Sequence, residues 1–303
     1  MSSKLCSLKE AIADTVKEGN TLVIEGFTHL ICHAAGHEII RQNIKNLTLA
    51  RMTPDLVYDQ MIAADLCKKI IFSWIGNPGV GSLHAFRRRS EAKYNNPIEI
   101  EEYSHGGMMT RLQAGANGLP FGVIDSFMGS DIPKYNSNIK EITCPYTARN
   151  FATVPALNPD VCVVHVQRAD IRGNGQVWGL MGTQKESAFA SKKVVLVAEE
   201  IVDSSVIRSD PNRTLIPETV VTHVCHVPWG CHPSYAQGYY DRDNDFYVEW
   251  DTISRDPEGL KKFLDEFVYG CKDHSEYMKK LGEGKMQKLK AKPRICAGVD
   301  YGY

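Results

Sequence analysis

Seven short apolar runs constrain this 303-residue sequence more than any other feature. Each run has the length of a buried strand, and the seven are Thr21–Ile24, Leu47–Arg51, Lys69–Ser73, Ile98–Glu102, Val161–Gln167, Val194–Glu199 and Thr222–Val227. Helical patterns lie among them, at Ala34–Gln42, Leu56–Ala64, Leu83–Ser90, Met108–Ala116, Lys185–Ala190 and Gly259–Tyr269. Strands that alternate with helices predict an α/β fold, in which an open, mostly parallel sheet carries helices on both faces.

The domain organisation follows from the absence of any linker or internal repeat in the sequence. We therefore predict a single domain over residues 1–303. Its first helix, Ser7–Glu18, begins with a serine and a glutamate in capping-box spacing. Residues 129–151 carry two prolines and little periodicity, which predicts an irregular excursion over one end of the sheet. A helical extension is expected from about residue 256.

Composition excludes several classes of protein. A net charge of −1 argues against a nucleic-acid-binding protein and against a membrane-surface protein. No apolar stretch approaches the roughly 18 residues that a membrane-spanning helix needs, and the N-terminus has no signal-peptide pattern. Nine cysteines, an odd number scattered through apolar contexts, indicate reduced thiols. We expect a cytoplasmic protein that binds neither nucleic acid nor membranes.

A glycine turn, Gly26-Phe27-Thr28, follows the first predicted strand and precedes a helix. In an open α/β sheet, this arrangement presents backbone N–H groups at the carboxyl end of a strand. Gly26 has no Cβ and allows a ligand close to the backbone. Because every α/β domain contains such turns, a purely structural role fits the pattern equally well. The preceding Glu25 is either a surface or pairing glutamate or itself a catalytic carboxylate.

A second polar turn, Gly76-Asn77-Pro78-Gly79-Val80, follows the third predicted strand. Two glycines around an Asn-Pro pair predict a rigid turn with free N–H groups at Gly79 and Val80, which is a small anion-binding nest.

A third polar turn, Tyr103-Ser104-His105-Gly106-Gly107, lies between the fourth predicted strand and a helix. A histidine at this place is a candidate general acid–base, or a polar contact to a thioester carbonyl. The alternative is that His105 caps the following helix.

Two groups of residues resemble metal-binding sites in their residue types. His29, His33 and His37 recur every four residues, but the glycine turn directly precedes them, which places His29 outside the helix. The second group lies between His223 and His232, where adjacent Cys-His pairs point to opposite faces of a strand. Zinc needs four convergent ligands, so we predict no metal site. With no phosphate-binding or dinucleotide-binding glycine motif, we also predict no permanently bound cofactor.

Six segments together resemble the alpha subunit of family I CoA-transferases, in particular glutaconate CoA-transferase. They follow one another in the family's order over nearly the whole chain: GFTHLICHAAGHEIIRQ from Gly26, RMTPDLVYDQ from Arg51, FSWIGNPGVGSLHAFRR from Phe72, EEYSHGGMMTRLQAGANGLPF from Glu101, GCHPSYAQGYYDRDN from Gly230 and KDHSEYMKKLG from Lys272. The resemblance implies the CoA-transferase fold and an exchange of CoA between an acyl-CoA and a carboxylic acid, with a CoA thioester as substrate.

The resemblance also implies that this chain is half of an active site. In the family, the nucleophilic glutamate lies in a Ser-Glu-Asn-Gly motif of the beta subunit, which is absent here. We therefore expect a beta-subunit partner, an α2β2 assembly and a glutamyl-CoA thioester on that partner. His105 is the candidate catalytic residue of this chain. The candidate substrate-binding residues are Gly26, Phe27, Thr28, Asn77, Gly79, Val80 and Ser104.

The acid itself stays open at this point, with 3-oxo and dicarboxylic acids as candidates. In glutaconate CoA-transferase, a serine hydroxyl at the position of Pro78 contacts the distal carboxylate of the substrate. Proline cannot donate that hydrogen bond, which argues against glutaconate.

Two alternatives share the resemblance. One is a CoA-ester hydrolase or a decarboxylase of the same fold, since a related ring-cleaving hydrolase has a glutamate where this chain has His105. The other is a non-catalytic acyl-CoA-binding scaffold. The partner's sequence distinguishes transfer from hydrolysis or decarboxylation.

Overall fold

A computed structural model describes residues 3–91 and 97–292 of the chain. Its strands, in chain order, are β1 Thr21–Glu25, β2 Leu47–Ala50, β3 Cys67–Phe72, β4 Glu99–Glu102, β5 Phe121–Ile124, β6 Lys140–Thr143, β7 Asn150–Pro155, β8 Val161–Ala169, β9 Gly175–Gln176, β10 Lys193–Ile201, β11 Thr214–Ile216 and β12 His223–His226. Nine of them form one sheet. Within it, β12, β10, β8, β1, β2, β3 and β4 pair in that order and are all parallel.

These seven parallel strands are the seven that the apolar runs predicted, with ends that differ by at most a few residues. Alternate residues of the central strands face opposite sides of the sheet. Leu22 and Ile24 join one buried cluster, whereas Val23 between them joins the other. Both faces are therefore covered, which is why the strands have continuous apolar sequences. The predicted open, mostly parallel α/β fold is confirmed.

The helices, in chain order, are α1 Leu8–Thr15, α2 His33–Arg41, α3 Leu56–Ala63, α4 His84–Ser90, α5 His105–Ala116, α6 Ile132–Tyr135, α7 Gln184–Ala190, α8 Ser204–Ser209, α9 Asn244–Arg255, α10 Pro257–Phe263, α11 His274–Leu281 and α12 Glu283–Leu289. The capping box before α1 is present, since Ser7 and Glu10 each accept a backbone hydrogen bond from the other. None of the helices in the described ranges is long and apolar enough to cross a membrane.

Residues 129–151 are more regular than we predicted. The segment contains α6, all of β6 and the start of β7, and β5, β7 and β6 form a separate antiparallel sheet of three strands. Strand β6 is four residues long and has no buried residue. Because β5 and β6 are short and have no buried residue, their sequences lack the apolar run by which the main strands were recognised.

The helical extension begins earlier than residue 256, at Asn244. Asp243 accepts a hydrogen bond from the backbone N–H of Phe246 and caps α9. The rings of Phe246, Trp250 and Phe263 then pack together on the sheet face that also carries α2 and α3. The helix predicted at Gly259–Tyr269 is α10 followed by a π-helical segment, Leu264–Tyr269.

Candidate functional site

A pocket of about 280 Å³ lies at the carboxyl ends of the first four strands. Turns that follow β1, β2, β3 and β4 supply its walls, as expected for a ligand site in an open α/β sheet. The lining residues are Phe27, Thr28, Arg51, Thr53, Asp55, Trp74, Pro78 and His105. Four residues from the three predicted polar turns, Phe27, Thr28, Pro78 and His105, thus meet in one place.

The turn after β1 has an unusual backbone. Gly26 has a φ of +150°, and a Cβ at this position would lie 2.8 Å from the carbonyl oxygens of His29 and Leu30. Thr28 and Leu30 have φ angles of +56° and +57°. Side chains with a branched Cβ rarely adopt such angles, so Thr28 is strained and must be held by its surroundings.

The loop after β12 holds this turn in place. Ser234 donates a hydrogen bond of 2.7 Å from its hydroxyl to the carbonyl oxygen of Thr28, and the N–H of Leu30 donates to Tyr235 at 2.9 Å. The imidazole of His29 contacts Leu180 and Gln237 through its two nitrogens, at 2.7 and 3.0 Å. Burial lowers the pKa of His29 to about 4, so this imidazole is neutral near pH 7 and has a structural role.

Arg51 lies beneath the same turn, with a side chain only 1% exposed. Its Nε and Nη2 atoms donate to the carbonyl oxygen of Gly26 at 3.0 and 2.6 Å, and its Nη1 atom forms an ion pair of 3.1 Å with Asp55. Sequence reasoning assigned a role to neither Arg51 nor Asp55. The available signal was an arginine at the end of a predicted strand followed by a Thr-Pro-Asp turn, and both residues lie within a segment that carried the family resemblance.

Glu25 is buried at the end of β1 and is absent from the pocket lining. Its Oε1 atom accepts a hydrogen bond of 3.1 Å from the N–H of Thr183. Burial raises the pKa of this carboxyl above its usual range, although the nearby Arg51 cation opposes the rise. The interpretation of Glu25 as a surface residue is therefore wrong, whereas a pairing role fits the contacts.

The turn after β3 differs from the predicted anion nest. Asn77 is buried and donates from its side chain to the carbonyl oxygen of Tyr247 at 2.7 Å, outside the pocket. The N–H of Val80 donates to the carbonyl oxygen of Asn77 at 3.2 Å. The prediction of a free N–H group at Val80 is therefore wrong, because a tight turn satisfies this donor internally. Gly79 adopts a φ of +81°, and Pro78 faces the pocket.

The turn after β4 places His105 at the first position of α5 and at the wall of the pocket. Ser104 is the cap of this helix, since its hydroxyl accepts a hydrogen bond of 3.0 Å from the N–H of Gly107. The alternative in which His105 caps the helix is therefore wrong. The imidazole of His105 is exposed and meets the ring of Phe27 edge-on, with the ring centroids 6.5 Å apart.

The three histidines that recur every four residues have separate partners. His29 lies outside α2, as predicted, and His33 contacts the carbonyl oxygens of Ile31 and Cys231 at 3.1 Å. His37 contacts the side chain of Gln60 at 2.9 Å. Burial lowers the pKa values of His33 and His37. The three imidazoles thus have different hydrogen-bond partners and do not form one site.

A cluster that the sequence did not suggest brings together His165, Glu199 and Cys231, whose possible ligand atoms lie within 4.8 Å of one another. Glu199 already accepts hydrogen bonds from the hydroxyl of Tyr240 and from the N–H of Trp229, the latter at 2.7 Å. Its Oε1 atom also lies 2.8 Å from the Nε2 atom of His165. The carboxylate therefore has its own hydrogen-bond partners and joins β8 and β10 to the loop after β12.

The sequence matches the model of the "Coenzyme A transferase" family over residues 6–226, which is more than half of its length. The chain belongs to the CoA-transferase family. Over 283 residues, which cover 93% of this chain and 100% of the relative, it is 50% identical to the A subunit of 3-oxoadipate CoA-transferase from Pseudomonas knackmussii. It is 31% identical to the A subunit of glutaconate CoA-transferase from Acidaminococcus fermentans, over 98% of each chain.

The crystal structure of that glutaconate CoA-transferase superposes on this CoA-transferase chain with a TM-score of 0.91, at 32% identity, over 98% of this chain and 99% of the other. The likeness to a family I CoA-transferase alpha subunit, first seen in six short segments, is confirmed by these matches along the whole chain. The predictions of a transferase and of its fold are confirmed with it.

Proposed function

We propose that this chain is the α subunit of a CoA-transferase whose acid is a 3-oxo dicarboxylic acid of the 3-oxoadipate type. The name of the relative with 50% identity supports this choice, because the two chains align along their whole length. The proposal includes a cytoplasmic α2β2 assembly with a β subunit that carries the nucleophilic glutamate, and CoA thioesters as substrates with no permanently bound cofactor.

The observation that carries the proposal is that the carboxylates in and near the pocket already have partners within the chain. Glu25 is buried and bonded to Thr183, and Asp55 forms an ion pair with Arg51. A carboxylate engaged by a cation is a weak nucleophile, which disfavours Asp55, and Glu25 lies outside the pocket lining, so neither residue suits attack on a thioester bound there. The pocket offers instead the side chains of two threonines, an imidazole and a wall of apolar side chains. This half-site fits the acyl group and leaves the nucleophile to a partner.

In the proposed reaction, the thioester carbonyl carbon is attacked by a glutamate oxygen of the β subunit. The carbon–sulfur bond breaks, CoA leaves as a thiolate, and an acyl–glutamyl anhydride forms. The thiolate then attacks the glutamyl carbonyl carbon, which releases the acid and leaves a glutamyl-CoA thioester. The second acid takes up CoA by the same steps in reverse order.

The proposed binding groups of this chain surround the acyl end of the substrate. Gly26, Phe27 and Thr28 form one wall, and His105 is a polar contact to the thioester carbonyl. Gly79 and Val80 support the position of Pro78, and Asn77 and Ser104 act through the backbone of their turns, because their side chains are engaged elsewhere.

Native mass spectrometry of the chain co-expressed with its candidate β subunit tests the proposal. The complex is incubated with acyl-CoA donors that differ in the acyl group, with 3-oxoadipate as acceptor. We expect a stable hetero-oligomer in which only the β subunit gains the mass of CoA minus water, and in which addition of 3-oxoadipate discharges that adduct.

Two outcomes contradict the proposal. Loss of the CoA ester without an adduct or an acyl-CoA product indicates a hydrolase or decarboxylase. A complex that forms no adduct and consumes no acyl-CoA indicates a binding scaffold.

A further inference from the structure

We propose that the floor of the pocket recognises an uncharged oxygen, namely that of the 3-oxo group, and turns a second carboxylate toward the mouth. Thr28 donates the hydrogen bond to the keto oxygen, and Asp55 disfavours an anion beside it. This assignment rests on the proposed function and adds the way in which the acid lies in the site.

The first argument is the hydroxyl of Thr28. Within the described part of the chain, its Oγ1 atom is buried and has no hydrogen-bond partner. A buried hydroxyl without a partner costs free energy, and the backbone of Thr28 at a φ of +56° adds strain. Both costs lie on one residue that lines the pocket. A ligand oxygen in the pocket would supply the missing acceptor.

The second argument is that each nitrogen of the cation at the floor already donates one hydrogen bond within the protein. The three nitrogens of the Arg51 guanidinium donate to the carbonyl oxygen of Gly26 and to the Oδ1 atom of Asp55. Arg51 and Asp55 together are neutral, and the side chain of each is 1% exposed. A pocket that selects a carboxylate usually offers an arginine with free donors. In this pocket every nitrogen of Arg51 already has an acceptor within the protein, so the cation is less available to a carboxylate.

The third argument is the other oxygen of Asp55. Its Oδ2 atom is also buried and has no hydrogen-bond partner among the described residues. A second substrate carboxylate placed here would meet a like charge with no donor between them, which is unfavourable in a buried site. A 3-oxo acid presents a neutral keto oxygen, and its enol tautomer presents a hydroxyl that can donate to Asp55.

The walls complete the orientation. Phe27, Trp74 and Pro78 give the pocket apolar sides, which suit the methylene groups of the chain. His105 is exposed at the pocket wall, so the pocket is open to solvent there and the distal carboxylate can keep contact with water. The position of Pro78 agrees with this orientation, because proline offers no hydroxyl to a carboxylate inside the pocket.

The test compares 3-oxoadipate with adipate, which has the same two carboxylates but no keto oxygen, as acceptors for the complete α–β complex. The Thr28→Val substitution removes the hydroxyl and retains the branched shape. We expect it to lower kcat/KM for 3-oxoadipate about 10-fold, the usual effect of one lost hydrogen bond to a neutral group, and to lower kcat/KM for adipate by a clearly smaller factor. Thr28→Ser is expected to restore the preference for the keto acid.

Two further variants keep the result interpretable. Thr28→Gly also removes the hydroxyl but tolerates the positive φ, so it tests the hydroxyl even when the valine variant folds poorly. Thr48→Val alters a buried threonine of β2 outside the pocket and is expected to leave both acids unaffected. Equal losses for the two acids in the valine and glycine variants would overturn the assignment. Absence of transfer in the wild-type complex with every acid would instead overturn the proposed function.

Discussion

The guanidinium of Arg51 donates two hydrogen bonds to a single carbonyl oxygen, that of Gly26, at 3.0 Å from Nε and 2.6 Å from Nη2. Hydrogen bonds from a charged donor are stronger than neutral ones, particularly when buried. The carbonyl is thereby fixed toward the interior before any ligand arrives. The glycine turn is therefore a preformed wall of the pocket, and its geometry depends on a buried arginine of the neighbouring strand end.

The close packing of the turn makes Gly26→Ala strongly disruptive. The added Cβ would lie 2.8 Å from two backbone oxygens, which cannot move independently of the turn. We expect a fall in the midpoint of thermal unfolding, and a loss of transfer activity larger than the loss of folded protein.

Gly118→Ala is the matched control, since Gly118 also has a positive φ, +67°, but has open space around it. It is expected to cost about 1 kcal/mol and no activity. Similar effects of the two substitutions would show that the turn tolerates a side chain.

His105→Ala is expected to lower kcat about 100-fold in the complete complex, the lower range for loss of one hydrogen-bond donor to a carbonyl oxygen on which charge develops. The imidazole is exposed, so its removal should change the free energy of unfolding by less than about 0.5 kcal/mol. Steady-state kinetics and denaturant unfolding measure the two effects, and native mass spectrometry checks that the assembly is intact. His226→Ala, another exposed histidine, is the control, because it lies outside the pocket. Unchanged kcat in His105→Ala would leave His105 with a structural role only.

The contacts of Asp243 lead us to expect that the free energy of unfolding depends on pH. Burial raises the pKa of its carboxyl, but hydrogen bonds from His232 and Lys285 lower it, to about 2. A carboxyl whose pKa is lower in the folded state stabilises the protein above its unfolded pKa of about 4, and this contribution is lost as pH falls toward 2. We expect Asp243→Asn to cost about 2 kcal/mol at pH 7 and progressively less below pH 4.

Urea unfolding of both proteins at a series of pH values measures that difference. Asp245→Asn, on an exposed aspartate paired with Lys288, is the control and should cost less than about 0.5 kcal/mol at every pH. A difference for Asp243→Asn that stays constant from pH 7 to pH 3 would contradict the assignment of the lowered pKa.

Much of the fold was predictable because the central parallel strands are buried on both faces. The central strands leave continuous apolar runs, whereas the edge strand β4 is mostly exposed and alternates isoleucine with glutamate. The short strands of the small sheet, such as β6, leave no run of this kind because they face solvent. Helix α9 was missed as well, although the cap at Asp243 and the ring spacing of Phe246 and Trp250 stand in the sequence.

The site was predictable only in part, because a motif gives the place of a turn and not the direction of its side chains. Phe27, Thr28 and His105 face the pocket, whereas the side chain of Asn77 points to Tyr247. Arg51 and Asp55 were missed because a strand-end arginine and a turn aspartate are common on protein surfaces. Only the fold reveals that both are buried beneath the glycine turn.

The contact between Ser234 and Thr28 joins residues 206 positions apart in the sequence. During synthesis, the glycine turn leaves the ribosome long before the loop that holds it. The strained backbone at Thr28 therefore lacks support until most of the chain has been made, and the pocket is among the last parts of the fold to form. A chain that ends before Ser234 contains every strand of the parallel sheet but lacks the hydroxyl that holds Thr28, so we expect such a truncated chain to present an unformed pocket.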